Sequence, residues 1–157
     1  MQRILGIDPG FGRVGWGIIE GKGAEWKAVD FGCIETSPKD SFVDRLIEID
    51  TELKKIIRKC KPNSSAVEEL FFYKNVTTAI QVGQARGVIL LTLTQANLKI
   101  IECTPLQVKQ TIVGYGRAEK SQVQSMIAMQ LGLKKQKIQD DAADALAIAL
   151  TGALMAR

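Results

Sequence analysis

The chain has 157 residues, of which 46% are hydrophobic and 24% are charged, a balance that suits an ordinary core and argues against disorder and against a membrane protein. It contains no histidine, which excludes Ser-His-Asp triads, histidine general bases and histidine metal sites. The net charge of +4 suits an anionic partner but is weak evidence for one. No unbroken apolar run approaches the ~18–20 residues that span a bilayer, and signal-peptide architecture is lacking, so we expect a cytoplasmic protein without a membrane partner.

The N-terminal third predicts three strands in an antiparallel meander. Residues 3–8 form a short apolar run that ends in an acid and a Pro-Gly turn. Residues 14–20 and 26–36 predict two further strands, joined by a turn over residues 21–23. Residues 42–60 then have apolar side chains at the spacing of an amphipathic helix.

The middle of the chain alternates strands with helices. Residues 65–71 predict a fourth strand, residues 75–97 a long helix and residues 98–102 a fifth strand. A meander followed by strands that are linked through crossover helices predicts a mixed α/β sheet.

The C-terminal third is predicted to be helical. Thr104 and Pro105 suit the N-cap and the first position of a helix, and another helix is predicted over residues 119–131. The last helix is predicted to begin near Asp140, with that residue as its N-cap. No internal repeat or linker divides the chain, so we expect a single domain over residues 1–157.

Acidic side chains end or interrupt the apolar segments at three places. Asp8 ends the first strand, where a simple Asx turn is the alternative to a functional role. Glu68 and Glu69 interrupt an apolar strand, and because strand neighbours face opposite sides, one of the two carboxylates must point into a buried layer. Asp141 and Asp144 share one helix face, although acids in a first helical turn also complement the helix dipole.

A set of four carboxylates cannot stay ionised together without cations. Hard divalent ions bound through oxygen, typically Mg²⁺ with Mn²⁺ as a substitute, meet this requirement. Two such ions ~4 Å apart can activate a water molecule and stabilise the leaving oxygen of a phosphodiester. The acids therefore predict a hydrolytic metal centre that needs no histidine.

Six blocks of the sequence also match a known family in order and spacing. They are ILGIDPG at residues 4–10, VEELF at 67–71, GQARG at 83–87, VKQ at 108–110, AEKSQVQ at 118–124 and DAADALA at 141–147. Over essentially the whole chain they resemble the RuvC family of bacterial Holliday junction resolvases. The resemblance implies a ribonuclease-H-like fold, with a five-stranded mixed sheet flanked by helices. It also implies a homodimer that nicks two strands of like polarity in a four-way DNA junction and leaves 5′-phosphate and 3′-hydroxyl ends.

The resemblance also implies which acids carry the chemistry. It leaves Glu69 and Asp140 outside the catalytic set. Val14 stands where many members of the family have a threonine, so a hydroxyl near the active acid is expected to be missing. The implied catalytic and metal-binding carboxylates are Asp8, Glu68, Asp141 and Asp144.

Three further residues match positions of the family that contact DNA. Lys109 and Lys120 match such lysines, and ordinary surface lysines are the alternative. Phe71 matches an aromatic residue that stacks on a base near the junction centre, and core packing is its alternative. Lysine contacts to phosphates would position the DNA backbone without reading its sequence.

The long helix has small residues at Gly83, Ala85 and Gly87, which permit close helix approach, and the resemblance implies that this helix forms the dimer. The branch-migration complex RuvA–RuvB is implied as a partner. Two other functions stay open: a catalytically silent junction-binding module, and an RNase H-like nuclease acting on RNA–DNA hybrids. Clustered acids disfavour the silent module, because they repel a phosphate backbone. An actin-like ATPase needs two domains, which 157 residues cannot supply.

Overall fold

The computed structural model describes residues 1–69, 75–133 and 137–156. Within these residues the predicted order of strands and helices is confirmed. The elements are β1 (Gln2–Asp8), β2 (Arg13–Lys22), β3 (Glu25–Glu35), α1 (Phe42–Cys60), β4 (Ser64–Glu68), α2 (Val76–Gln95), β5 (Lys99–Cys103), α3 (Pro105–Val113), α4 (Lys120–Gln130) and α5 (Asp140–Met155).

The strands form one sheet in the order β3-β2-β1-β4-β5. The pairs β1–β2 and β2–β3 are antiparallel, whereas β1–β4 and β4–β5 are parallel, so the predicted five-stranded mixed sheet is confirmed. In the parallel register Ile7 of β1 pairs with Val67 of β4. The next residues of the two strands, Asp8 and Glu68, therefore come together at one edge of the sheet.

Helices cover both faces of the sheet and enclose two apolar layers. Leu5 and Ile7 pack in the layer with α1 and α2, whereas Ile4 packs in the layer with α3, α4 and α5. Because strand side chains alternate, Asp8 points to the same face as Ile4, which is the face that α5 covers. The same alternation places Glu68 on the α5 face, because Ala66 packs there and Val67 packs opposite.

Glycines in β1 and β2 allow the backbone of α5 to lie directly on the sheet. A Cβ at Gly6 would lie 2.1 Å from the Ala145 carbonyl oxygen, and one at Gly15 would lie 2.0 Å from the Asp141 carbonyl oxygen. These distances are far shorter than any van der Waals contact, so only glycine fits at either position. The close approach brings the first turns of α5 to the sheet edge where β1 ends.

The helix caps confirm one prediction and correct another. Thr104 caps α3 in a capping box with Gln107, and Pro105 follows in the first turn as predicted. The N-cap of α5 is Gln139, whose backbone is extended, so the predicted N-cap role of Asp140 is wrong. Asp140 is instead the first helical residue, where its exposed carboxylate complements the helix dipole.

The helix α2 has a mixed environment. Among the described residues it is the one helix that is long and apolar enough, by length and composition alone, to cross a membrane, although it packs against α1 and β5. Val76, Ile80 and Leu91 are exposed apolar residues on its outer side. Ala85, one of the small residues expected to permit close helix approach, is instead fully buried in the protein's own core, whereas Gly87 is exposed.

Candidate metal centre

Three chain segments bring acids together at one edge of the sheet. Asp8 ends β1, Glu68 ends β4, and two aspartates lie in the first turns of α5. Carboxylate oxygens of Asp8, Asp141 and Asp144 all lie within 4.8 Å of one another. Glu68 lies close enough to this trio that its charge acts on Asp8. All four predicted carboxylates are half-buried, so each has one side open to solvent or to a ligand.

The two adjacent glutamates have different environments. Glu68 is half-buried on the α5 face, whereas Glu69 is exposed and follows the end of β4. The backbone N–H of Glu69 donates to the Cys103 carbonyl at 2.8 Å, which fixes the chain direction after Glu68. The structure thus places Glu68 beside the other acids and turns Glu69 towards solvent.

Burial and mutual repulsion disfavour the charged forms of these acids. Burial, and after it the charges of Glu68, Asp144 and Asp141, together raise the pKa of Asp8 from 3.8 to about 8. The pKa of Glu68 is raised to about 7 by burial and by Asp144. Burial also raises the pKa of Asp144, although Lys120 opposes this shift. A bound cation would reverse these shifts, so the cluster has the electrostatics of a cation site.

Two lysines line a cavity of about 260 Å³ beside the acids. Lys120 lies in the first turn of α4, and its Nζ is 3.2 Å from Oδ2 of Asp144. Burial acts to lower the pKa of Lys120, but Asp144, Asp140 and Asp8 together outweigh it and the pKa is raised. Lys109 of α3 lines the same cavity and opposes the pKa shift of Glu68. Both lysines predicted to contact DNA therefore lie beside the acids. Phe71, the third such residue, lies outside the described residues.

Two arginines contact the site and were missed in the sequence. The Nε of Arg86 donates to the Glu68 carbonyl at 3.1 Å, and its guanidinium also pairs with Glu102. Arg13 approaches Asp141 with Nη1 3.7 Å from Oδ2. The sequence offered a signal for Arg86, which is the only charged residue of α2, and the structure shows its side chain to be only 14% exposed. Arg13 lies two residues before Gly15, but its neighbour Asp141 is distant in sequence and gives no local pattern.

The turn between β1 and β2 is fixed by contacts from α1 and from the end of β3. The Thr36 hydroxyl donates to the Phe11 carbonyl, and Nε of Arg45 donates to that hydroxyl at 2.9 Å. The Arg45 guanidinium lies 4.9 Å from the centre of the Phe11 ring. Val14 is fully buried in the layer with α1 and α2. Position 14 lies near Asp8, as expected, because Gly15 pairs with Asp8, but its side chain packs on the face opposite the acids.

A mixed five-stranded sheet with acids gathered at one edge, between the ends of parallel strands and the start of a helix, defines the class of ribonuclease-H-like nucleases. The family model described as crossover junction endodeoxyribonuclease RuvC matches residues 4–152. The chain belongs to the RuvC family.

Curated relatives and a solved structure agree with this assignment. The chain is 55% identical over 146 residues to the RuvC of Petrotoga mobilis, a match that covers 93% of this chain and 90% of the relative. It is 56% identical over 147 residues to the RuvC of Halothermothrix orenii, covering 94% and 89% of the two chains. The structure of Thermus thermophilus RuvC in complex with a Holliday junction substrate superposes with a TM-score of 0.94 at 36% identity, covering 100% of this chain and 96% of that chain. The expected ribonuclease-H-like fold is thereby confirmed.

Proposed function

We propose that this chain is a Holliday junction resolvase that cuts two strands of like polarity symmetrically. The observation that carries the proposal is the cluster of Asp8, Asp141 and Asp144 at the sheet edge, with Glu68 beside it, in a protein without histidine. Similarity to a RuvC solved with a Holliday junction supports the choice of DNA substrate.

The donor set fits hard divalent cations. Three carboxylates with oxygens within 4.8 Å of one another, and a fourth beside them, offer only oxygen ligands, which Mg²⁺ prefers and Mn²⁺ accepts. Bound as a pair, such ions activate water and stabilise the leaving oxygen of a phosphodiester. We assign metal binding and catalysis to Asp8, Glu68, Asp141 and Asp144.

The protein's own cations would position the DNA backbone. Lys109 and Lys120 line a cavity together with Glu68 and Asp144, so phosphates of a strand bound at the acids would lie within their reach. A cation held by Asp144 would compete with Lys120 for that carboxylate and would leave the ammonium group available to a phosphate. By family resemblance, Phe71 would stack on a base near the junction centre.

Paired cleavage needs two active sites related by symmetry, because one site cuts one strand. A homodimer supplies them, and the exposed apolar residues Val76, Ile80 and Leu91 make the outer side of α2 the surface that suits this dimer. By resemblance the partner is the RuvA–RuvB branch-migration complex and the location is the cytoplasm. Residues 1–157 would form one nuclease domain.

The test is cleavage of a mobile synthetic four-way junction, with linear duplex and RNA–DNA hybrid as competitors. Symmetric paired nicks in Mg²⁺, absent in EDTA and in Asp8→Asn protein, are the expected result. Tight junction binding without cleavage in any divalent metal would indicate a silent binding module instead. Preferred cleavage of the hybrid would show that the metal centre is right and the substrate is wrong.

A further inference from the structure

Arg13 lies at the edge of the acid cluster on the side away from the two lysines. It is the first residue of β2 and shares a strand face with Gly15, the glycine that α5 covers at Asp141. The missing Cβ at Gly15 therefore brings Asp141 within reach of the Arg13 side chain. Thr36 and Arg45 hold the turn before β2 and so fix where the backbone of Arg13 lies in space.

The contacts of Arg13 are easily exchanged. Its Nη1 is 3.7 Å from Asp141 Oδ2, its Nη2 is 3.3 Å from Glu35 Oε1, and its side chain is 62% exposed. Ion pairs of this length at an exposed position contribute little to stability. A guanidinium held this weakly can move to a better anion at small cost.

The acids lie between cations on two sides. Lys120 of α4 pairs with Asp144, and Arg13 of β2 approaches Asp141. A cation held by Asp141 would compete with Arg13 for that carboxylate, as one held by Asp144 would compete with Lys120. The exposed guanidinium beside the acids would then be available to a phosphate, which its planar fork suits.

We propose that Arg13 is a further DNA-contacting residue, which binds a phosphate next to the scissile one on the β2 side of the acids. This inference rests on the proposed function, since it needs a nucleic-acid substrate at the metal centre. Glu35 competes with the phosphate for the guanidinium. Together with Lys109 and Lys120, Arg13 would hold the strand on both sides of the bond that is cut.

The test is junction binding by the full chain as a function of salt, in Ca²⁺ and with the absence of cleavage products verified. Arg13→Gln is expected to weaken binding about 3- to 10-fold and to lower the slope of log K against log salt by about one. Arg13→Lys should restore the slope but only part of the affinity, because lysine lacks the fork. Arg58→Gln, an exposed arginine on α1, is the matched control.

Glu35→Gln gives a second, opposite readout. Removing the competing carboxylate should tighten junction binding, and Arg13→Gln combined with Glu35→Gln should abolish that gain. The inference is overturned if Arg13→Gln changes the salt slope of junction binding no more than Arg58→Gln does. If Arg13→Gln then alters only the Mg²⁺ concentration that cleavage requires, Arg13 orients Asp141 and does not contact DNA. Failure of the wild-type protein to cleave the junction in Mg²⁺ overturns the proposed function and this inference with it.

Discussion

Replacing Asp8 with asparagine should stabilise the metal-free protein while abolishing cleavage. The pKa of Asp8 is raised from 3.8 to about 8, so the folded protein keeps a proton that the unfolded chain releases over this pH window. The contribution of protonated Asp8 to the free energy of unfolding is therefore fully present below pH ~4 and is lost as the pH rises towards ~8. At pH 7, about 3 pH units above the ordinary pKa of Asp8, the loss is ~1.36 kcal/mol per unit. Solvent screening of the half-buried carboxylate reduces the expected difference in unfolding free energy between the two proteins to about 2–4 kcal/mol.

Urea unfolding of both proteins in EDTA, between pH 5 and pH 9, measures this difference. Asp8→Asn should already be slightly more stable than the wild type at pH 5 and should exceed it by a growing margin towards pH 8. Mg²⁺ should stabilise the wild type and have little effect on the variant, because the ion binds the folded acid cluster. Asp140→Asn, an exposed acid at the start of α5, is the control and should change stability by less than about 0.5 kcal/mol. A variant that is less stable than the wild type at pH 8 in EDTA would refute the reasoning.

Three other perturbations test the surroundings of the acids. Gly15→Ala should destabilise the protein by about 2 kcal/mol or more in thermal unfolding, because its Cβ would lie 2.0 Å from the Asp141 carbonyl; Gly87→Ala, where a Cβ meets no atom within 4 Å, is the control and should not destabilise. Arg86→Gln should slow single-turnover cleavage about 10- to 100-fold through the loss of its bond to the Glu68 carbonyl, with partial recovery in Arg86→Lys; equal rates in all three proteins would contradict this. The apparent Mg²⁺ affinity should rise as the pH increases to about 8, since Asp8 must lose its proton before it can bind the ion. A calorimetric titration in which the Mg²⁺ affinity does not change with pH would contradict this prediction.

The elements and the segments that carry the acids have local signals in the sequence, whereas the choice of Glu68 over Glu69 came from the family resemblance. Strand runs, helical spacing and turn residues are short-range patterns, and the predicted α3 cap at Thr104 is confirmed for this reason. Asp8 and Glu68 end apolar strands, and parallel neighbours bring such ends to one edge. The roles of the acids, of the lysines and of Phe71 stay predictions that the experiments above address.

The arginines and the N-cap of α5 required the three-dimensional structure. Arg13 and Asp141 are far apart in sequence and meet only because Gly15 lets α5 lie on β2. Arg86 is marked in the sequence as the only charged residue of α2, but its contact with the Glu68 carbonyl depends on the tertiary fold. Gln139 is a weak N-cap residue, so a sequence rule chooses the aspartate that follows it.

The central claim is that four carboxylates, with Glu68 and not Glu69 among them, form one metal centre that cuts a DNA junction. Single-turnover cleavage of a mobile four-way junction in Mg²⁺ by Glu68→Gln and Glu69→Gln tests it most directly, because the two variants remove the same charge one residue apart. We predict that Glu68→Gln slows cleavage by about 100-fold or more, while Glu69→Gln cuts at the wild-type rate. Wild-type cleavage by Glu68→Gln, or loss of cleavage in Glu69→Gln alone, would contradict the account.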